Sequence, residues 1–271
     1  MSQSTFPSDS VIQRVARESV LIIGGAATLV LQVAHPVVAK GVAQFSDFQS
    51  KPFRRLFRTL NTVYSIVFGT AEESEAIGRK MVSLHRDIAG PGYSGLDPEA
   101  QLWVLGTLMK SSIDLYEWSV EPLSEQEKDA YFTQMLEFGG FFGLSTPTQP
   151  HDWASFLTYY EGMISSDRLA SEPVCREVTQ AIVRPKRPLL LACIAPFTRA
   201  WVTEPIPATL HPALGLRSTR WTRGCWWLTK RCLKLARYLP KPLRWVPHYR
   251  KLRRKLRRSP DDTSPAGPSP Q

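Results

Sequence analysis

The sequence predicts an all-α fold with a basic C-terminal extension, and three observations predict it. Apolar residues recur at i, i+3, i+4 spacing along most of the chain. Two capping boxes and an Asp-Pro pair mark helix starts. No alternating apolar runs joined by hairpin turns occur. With 271 residues, 43% of them hydrophobic and 21% charged, the chain can bury a sizeable core and is not globally disordered. The expected organisation is a disordered lead at 1–10, a helical domain at 11–245 and a basic, partly disordered tail at 246–271.

The elements follow in order. Residues 1–10 are polar and lack the basic start of a signal peptide, so a cytoplasmic location is expected, with peripheral membrane association left open. Residues 19–39, SVLIIGGAATLVLQVAHPVVA, form the most apolar run and approach a bilayer span in length. Gln32, His35 and Pro36 inside it suit a buried, pocket-lining helix better than lipid. Residues 53–68 form a helix through Phe53, Leu56, Phe57, Leu60, Tyr64 and Val67. Thr70 and Glu73 form a capping box that opens the next helix, and Gly90-Pro91 stops it. On that helix Ile77, Met81, Leu84, His85 and Ile88 share one face.

Asp97-Pro98 opens a helix to about Trp118, and Ser124 with Glu127 opens another to about Phe138. Residues 139–150 are a loop. Helices are expected at 151–165, at 171–183 and at 188–204, the last interrupted by Pro196. Residues 219–239 are amphipathic, with the stripe Trp221, Cys225, Leu228, Cys232, Leu235 and Leu239. From Ser259 onward the Ser/Pro/Asp composition predicts disorder.

Charge is unevenly spread. Residues 205–260 hold 16 Lys+Arg and no Asp or Glu, whereas the whole chain carries +10. Such a block meets anionic surfaces, and an anionic membrane through 217–258 is the expected partner. Either the 219–239 stripe lies in the membrane interface, or it packs on the domain and leaves only 250–258 free. Nucleic-acid binding is disfavoured because no recognisable module is present. The four cysteines, Cys175, Cys193, Cys225 and Cys232, make no Cys-x-x-Cys pair, which argues against a disulfide scaffold and a zinc site.

Nucleotide-binding glycine motifs, HExxH, GxSxG and ExxH pairs are all missing from the sequence. Five histidines remain. His151, His211 and His248 lie in Pro-rich or basic segments and are expected to face solvent. His35 and His85 lie on apolar helices. A buried imidazole needs partners for both nitrogens or a metal on one, so each is either a hydrogen-bonded core histidine or a ligand. Arg55, Arg58 and Thr59, at i, i+3 and i+4, share one helix side. They either bring two cations and a hydroxyl to one small volume or form a solvated basic edge beside Lys51 and Arg54.

Four segments in order carry a resemblance. GGAATLVLQVAHPVVAKGVAQFSDF, RRLFRTLNTVYSIVFG, IGRKMVSLHRDIAG and DPEAQLWVLGTL resemble the haem-dependent oxygenase family of rubber oxygenase (latex clearing protein) and the mycophenolic-acid-pathway oxygenase. The likeness is specific from about Arg17 to Trp118 and weaker to about residue 245. It implies a globin-like helical core that binds haem b, with His85 as proximal iron ligand. His35 either lines the pocket or is structural. The family's distal Arg-x-x-Lys-Thr pattern maps onto Arg55, Arg58 and Thr59, which would be the catalytic residues, with both arginines also holding the cofactor. Here arginine replaces a lysine able to ligate iron. A family histidine is replaced by Leu105, and the glutamate proposed there as a base has no counterpart. The resemblance implies oxidation with O2 of an apolar, isoprenoid-like substrate, for example C=C cleavage. The alternative is a non-catalytic haem-binding or peripheral membrane-surface protein.

Overall fold

A computed structural model describes residues 4–47, 52–145, 150–184 and 195–251. They are predominantly helical, and the sheet among them is a two-stranded antiparallel hairpin, β1 (Ala89–Gly90) with β2 (Tyr93–Ser94). The helices are α1 (Val11–Ala16), α2 (Leu21–Val33), α3 (Pro36–Phe45), α4 (Pro52–Phe68), α5 (Ala71–Asp87), α6 (Pro98–Ser119) and α7 (Glu125–Gly140). They continue with α8 (Trp153–Ser165), α9 (Pro173–Val183), α10 (Ala195–Thr203), α11 (His211–Leu214), α12 (Arg220–Leu235) and α13 (Lys241–Arg244).

Helix starts fall where side chains can satisfy the first free N–H groups. Thr70 with Glu73 and Ser124 with Glu127 form complete reciprocal boxes, and the Asp97 carboxylate accepts the Ala100 N–H at 2.8 Å. Asp152 caps α8 in the same way, which moves its start from 151 to Trp153.

The core is organised around α6. Its Trp103, Met109, Ile113 and Tyr116 have almost no exposed surface. The Trp103 indole donates to the Leu31 carbonyl of α2 at 2.8 Å and stacks on Tyr160 of α8. Truncating such a residue costs about 3–5 kcal/mol. α2 and α6 approach closely: a Cβ at Gly24 would lie 2.3 Å from Leu115 Cδ1.

The apolar run 19–39 becomes two helices bent by 111°, α2 and α3. Pro36 starts α3 and disfavours helical backbone at His35, which is the extended N-cap. Among the described residues no single helix is long and apolar enough to cross a membrane, although this bent pair meets the length and composition together. Ala27, Val30, Leu31 and Val33 of α2 are buried in the protein core.

Three expectations are corrected, and an open alternative is narrowed. First, the lead is not disordered from residue 4 onward. Phe6 is fully buried, Ser4 bridges to Thr70, and the Thr5 hydroxyl donates to Ser74 Oγ at 2.6 Å.

Second, the start of the expected tail is packed. Val246 and Tyr249 are buried, and the two chain ends clasp each other. Ser19 N–H donates to the Arg244 carbonyl and Val246 N–H to the Arg17 carbonyl, both at 2.8 Å. The fully buried Glu18 pairs with Arg244 at 2.8 Å and with Arg17 at 3.5 Å. Burial pushes the Glu18 carboxyl pKa up, and the two guanidiniums oppose that. The Arg17 guanidinium also lies over Trp245 and Tyr249, at 5.2 and 5.6 Å from the ring centres.

Third, two histidines expected in solvent have partners. His211 Nε2 lies within 3.0 Å of the Thr203 and Ile206 carbonyls, so it carries the proton and donates to them. His248 meets Asn61 Oδ1 at 2.8 Å and packs on Tyr64. His151 is exposed as expected.

Of the two readings left open for the 219–239 stripe, the structure excludes the one in which it packs on the domain. Thr222 and Leu233 are buried, Trp226 meets Trp118, and Thr229 accepts the Trp201 indole N–H at 2.8 Å. Trp221, Leu228 and Leu235 point outward. Cys193, the first part of the helix expected at 188–204, and the tail from residue 252 lie outside the described residues.

Candidate functional site

α4 and α5 are 17 residues each, pack on one another, and are joined through Gly69 and Thr70. Gly69 permits that joint, because a Cβ there would lie 2.1 Å from the Ser65 carbonyl oxygen. Ser74 Oγ donates to the Ile66 carbonyl at 3.1 Å and ties the closed end. Arg55 lies 13 residues before the end of α4 and His85 lies 14 after the start of α5. At about 1.5 Å of rise per residue the two fall at nearly the same height, toward the open end of the hairpin.

The protein covers little of α5. Only Ser74 and Gly78 are buried. Of the apolar stripe, Ile77, Met81, His85 and Ile88 are half-buried and Leu84 is exposed. Phe57 of α4 and Phe45 at the end of α3 are also exposed. Apolar side chains of three helices therefore border the same end of the hairpin.

His85 has a fixed tautomer. Its Nδ1 lies 2.8 Å from the Met81 carbonyl oxygen, one turn back on the same helix. A carbonyl only accepts, so Nδ1 carries the proton and Nε2 keeps its lone pair. Nε2 makes no hydrogen bond among the described residues. The Phe142 ring meets the imidazole edge-on, with centres 6.0 Å apart. Gln101 Nε2 donates to the Phe142 carbonyl at 2.9 Å and holds that neighbour. Behind the histidine, the chain leaving α5 folds across the end of the helix. Gly95 N–H donates to the Ile88 carbonyl at 2.6 Å, and a Cβ at Gly95 would lie 2.4 Å from the His85 carbonyl oxygen.

On α4 the structure brings Arg55, Arg58 and Thr59 together on one stretch of helix. Arg55 is half-buried, and desolvation, helped by the Arg58 charge and opposed by Asp47, holds its pKa below the ordinary value. Arg58 is exposed and pairs with Asp47 at 3.7 Å, and Arg54 pairs with the same carboxylate. The hydrogen bond from Arg54 keeps the Asp47 carboxyl below its usual range. The Thr59 hydroxyl donates to the Arg55 carbonyl at 3.0 Å. Asp47 thus joins the arginine cluster, a partner that the sequence reading missed. Its signal was faint: one acid at the end of the segment before α4.

His35 sits elsewhere in the network. It is buried at the α2–α3 bend with Nε2 3.7 Å from Glu99 Oε1 of α6, and Arg168 contacts the same oxygen at 3.2 Å. Among the described residues its buried Nδ1 has no hydrogen-bond partner. Burial lowers its pKa, against the pull of Glu99 and Asp97, so the ring is neutral at neutral pH.

Among the described residues no three His, Cys, Asp or Glu side chains converge. A metal held at His85 must therefore bring most of its own ligands, as the porphyrin of a haem does. A half-buried imidazole with a free Nε2, a half-covered apolar border and nearby cations match the donor set, walls and carboxylate partners that such a group needs.

A family model described as "ER-bound oxygenase mpaB/B'/Rubber oxygenase, catalytic domain" matches residues 12–238. No curated protein sequence and no solved structure gives a match.

Proposed function

The chain belongs to the family of the ER-bound oxygenase mpaB/B'/rubber oxygenase catalytic domain, and from that premise we propose a haem b-dependent oxygenase with His85 as the proximal ligand. Membership makes the protein an oxygenase, an oxidoreductase acting with O2 on a substrate. The haem, the ligand and the substrate class are the proposal. The observation that carries it is the His85–Met81 hydrogen bond on a helix whose apolar stripe the protein only half covers. A carbonyl that fixes Nδ1–H and presents Nε2 is the outer-shell arrangement by which proteins orient ligating histidines.

When bound, the haem supplies the activation of O2. The chain's own residues supply everything else. His85 would hold the group through Nε2, while the Met81 carbonyl keeps the proton on Nδ1. Arg55 and Arg58 offer cationic N–H donors to haem carboxylates or to charge that develops on oxygen. Asp47 orients Arg58. Arginine keeps its proton at any working pH, so Arg58 does not compete for the iron as a neutral amine would. Thr59 holds its hydrogen on the Arg55 carbonyl and offers its oxygen lone pairs outward. Phe45, Phe57 and Leu84 present exposed apolar surface that suits an apolar, isoprenoid-like substrate in which a C=C bond is oxidised. An anionic membrane surface is the further proposed partner.

Haem content and the ultraviolet-visible spectrum of protein purified from haem-supplemented cells test this reading. Product analysis with O2 and isoprenoid olefins tests turnover and separates an oxygenase from a haem-binding protein without activity.

A further inference from the structure

α12 carries two stripes at helical spacing, and the domain covers the less apolar one. Thr222, Trp226, Thr229 and Leu233 face inward. Trp221, Leu228 and Leu235 face outward and are 58%, 57% and 63% exposed. Trp227 is exposed beside them, and Tyr238, Leu239 and Leu243 carry exposed apolar surface past the end of the helix. Clustered exposed apolar surface of this kind marks an interaction site.

Its rim is cationic. Arg220, Arg223, Arg231, Lys234, Arg237 and Lys241 are all exposed. The segment 205–251 contains no Asp or Glu. Among the described residues its only basic side chain paired with a carboxylate is Arg244, on Glu18. The Arg231 guanidinium lies 4.9 Å from the centre of the Trp227 ring. Beyond the described residues the sequence continues LRRKLRR through residue 258.

We propose that this face docks on an anionic lipid surface. α12 lies in the plane of the interface, Trp221, Leu228 and Leu235 enter the acyl boundary, and the flanking cations meet headgroup phosphates. Both halves of the patch are needed for the choice of partner. A second copy of the chain, docked about a two-fold axis, would press this uncompensated positive face against itself. A nucleic acid would satisfy the cations but would leave Leu228, Leu235 and Leu239 with no apolar surface to bury against. An anionic leaflet answers the charge and the apolar stripe together, and tryptophan favours that interface. The inference deepens the proposed partner of the oxygenase but rests on α12, whose main packing is on α6 and α10.

Flotation of the full-length protein with phosphatidylcholine vesicles, with and without phosphatidylserine, tests it at low and high salt. Two variants of exposed residues, Trp221→Ala with Leu228→Ala and Arg231→Glu with Lys234→Glu, are compared with a control, Arg79→Glu with Lys80→Glu. Thermal melting establishes that each is folded, and haem content is measured on the same samples. Wild type is expected to bind phosphatidylserine vesicles preferentially, and less at high salt. The charge-reversed α12 pair is expected to bind about tenfold more weakly or worse. The apolar pair should lose binding at both salt concentrations, and the control should bind like wild type. Loss of vesicle binding with haem retained separates this proposal from the haem assignment. Equal wild-type binding to neutral and anionic vesicles would overturn it, as would folded α12 variants that bind like wild type. Self-association, or oligonucleotide binding in place of vesicle binding, abolished by the same substitutions would overturn it too and give the face to that partner.

Discussion

The imidazole of His85 and the backbone carbonyl of Met81 are 2.8 Å apart across one turn of α5. This contact decides which nitrogen of the ring is available. It also holds the ring against rotation, with Phe142 on its edge. A ligating histidine needs both properties before any metal arrives.

The arginine cluster on α4 gives a spectroscopic expectation for the proposed haem protein. Arg58 stands where the family resemblance places a ligating lysine, and it pairs with Asp47. The resting ferric protein is expected to be five-coordinate or water-bound. A spectrum with a nitrogenous sixth ligand that persists in Arg58→Ala contradicts this and makes His35 the candidate for a separate substitution.

The buried pair that clasps the chain ends gives a stability expectation. Arg244→Ala leaves the fully buried Glu18 carboxylate with Arg17 at 3.5 Å as its remaining cation. Breaking a buried pair from one side costs about 3–5 kcal/mol. Urea unfolding of Arg244→Ala should show a loss of that order. The double variant Glu18→Gln, Arg244→Met should lose less, because no uncompensated charge remains. Equal losses in the two variants would show that packing, not charge, holds the clasp.

His35 gives a pH expectation. Burial lowers its folded pKa below the unfolded value of 6.5. The unfolded chain then binds more protons than the native one in the interval below 6.5, so stability falls as pH falls through it. His35→Gln should have a shallower dependence of unfolding free energy on pH between 7 and 5 than wild type. Parallel curves would show that His35 titrates normally. His248, also lowered by burial, acts in the same direction in both proteins and cancels in the comparison.

Truncation distinguishes the packed end from the basic end. Deleting 246–271 removes Val246 and Tyr249 from the core and should lower thermal stability. Deleting 252–271 removes nothing from the described core and should leave the melting temperature unchanged. Equal melting temperatures for both deletions would contradict the clasp.

Helix starts were legible because caps are local. Thr70, Asp97 and Ser124 each need only residues within one turn. The hydrogen bond from His85 to Met81 is likewise within reach of helix geometry, but the Phe142 edge depends on α7 and its following loop. Which of the two readings of the α12 stripe holds was not legible, because both faces of the helix have helical spacing. The inward one is chosen by Trp118 and Trp201, which no local pattern reveals. His211 and His248 read as solvent-facing because their carbonyl, amide and ring partners lie on other segments. The Glu18–Arg244 clasp joins opposite ends of the chain, and a single acid followed by a distant arginine gives no signal. At His85 composition left a ligand and a core histidine both open, and the expectation of a ligand rests on the family likeness.

The most direct test of the central claim is haem stoichiometry, with the visible spectrum, of wild type, His85→Ala and His151→Ala purified identically from haem-supplemented cells. All three should melt cooperatively, since His85 is only half-buried. Wild type and the exposed-site control His151→Ala are expected to carry haem with one shared spectrum, and His85→Ala to lose most of it. A folded His85→Ala with wild-type haem content and an unchanged spectrum would contradict the account.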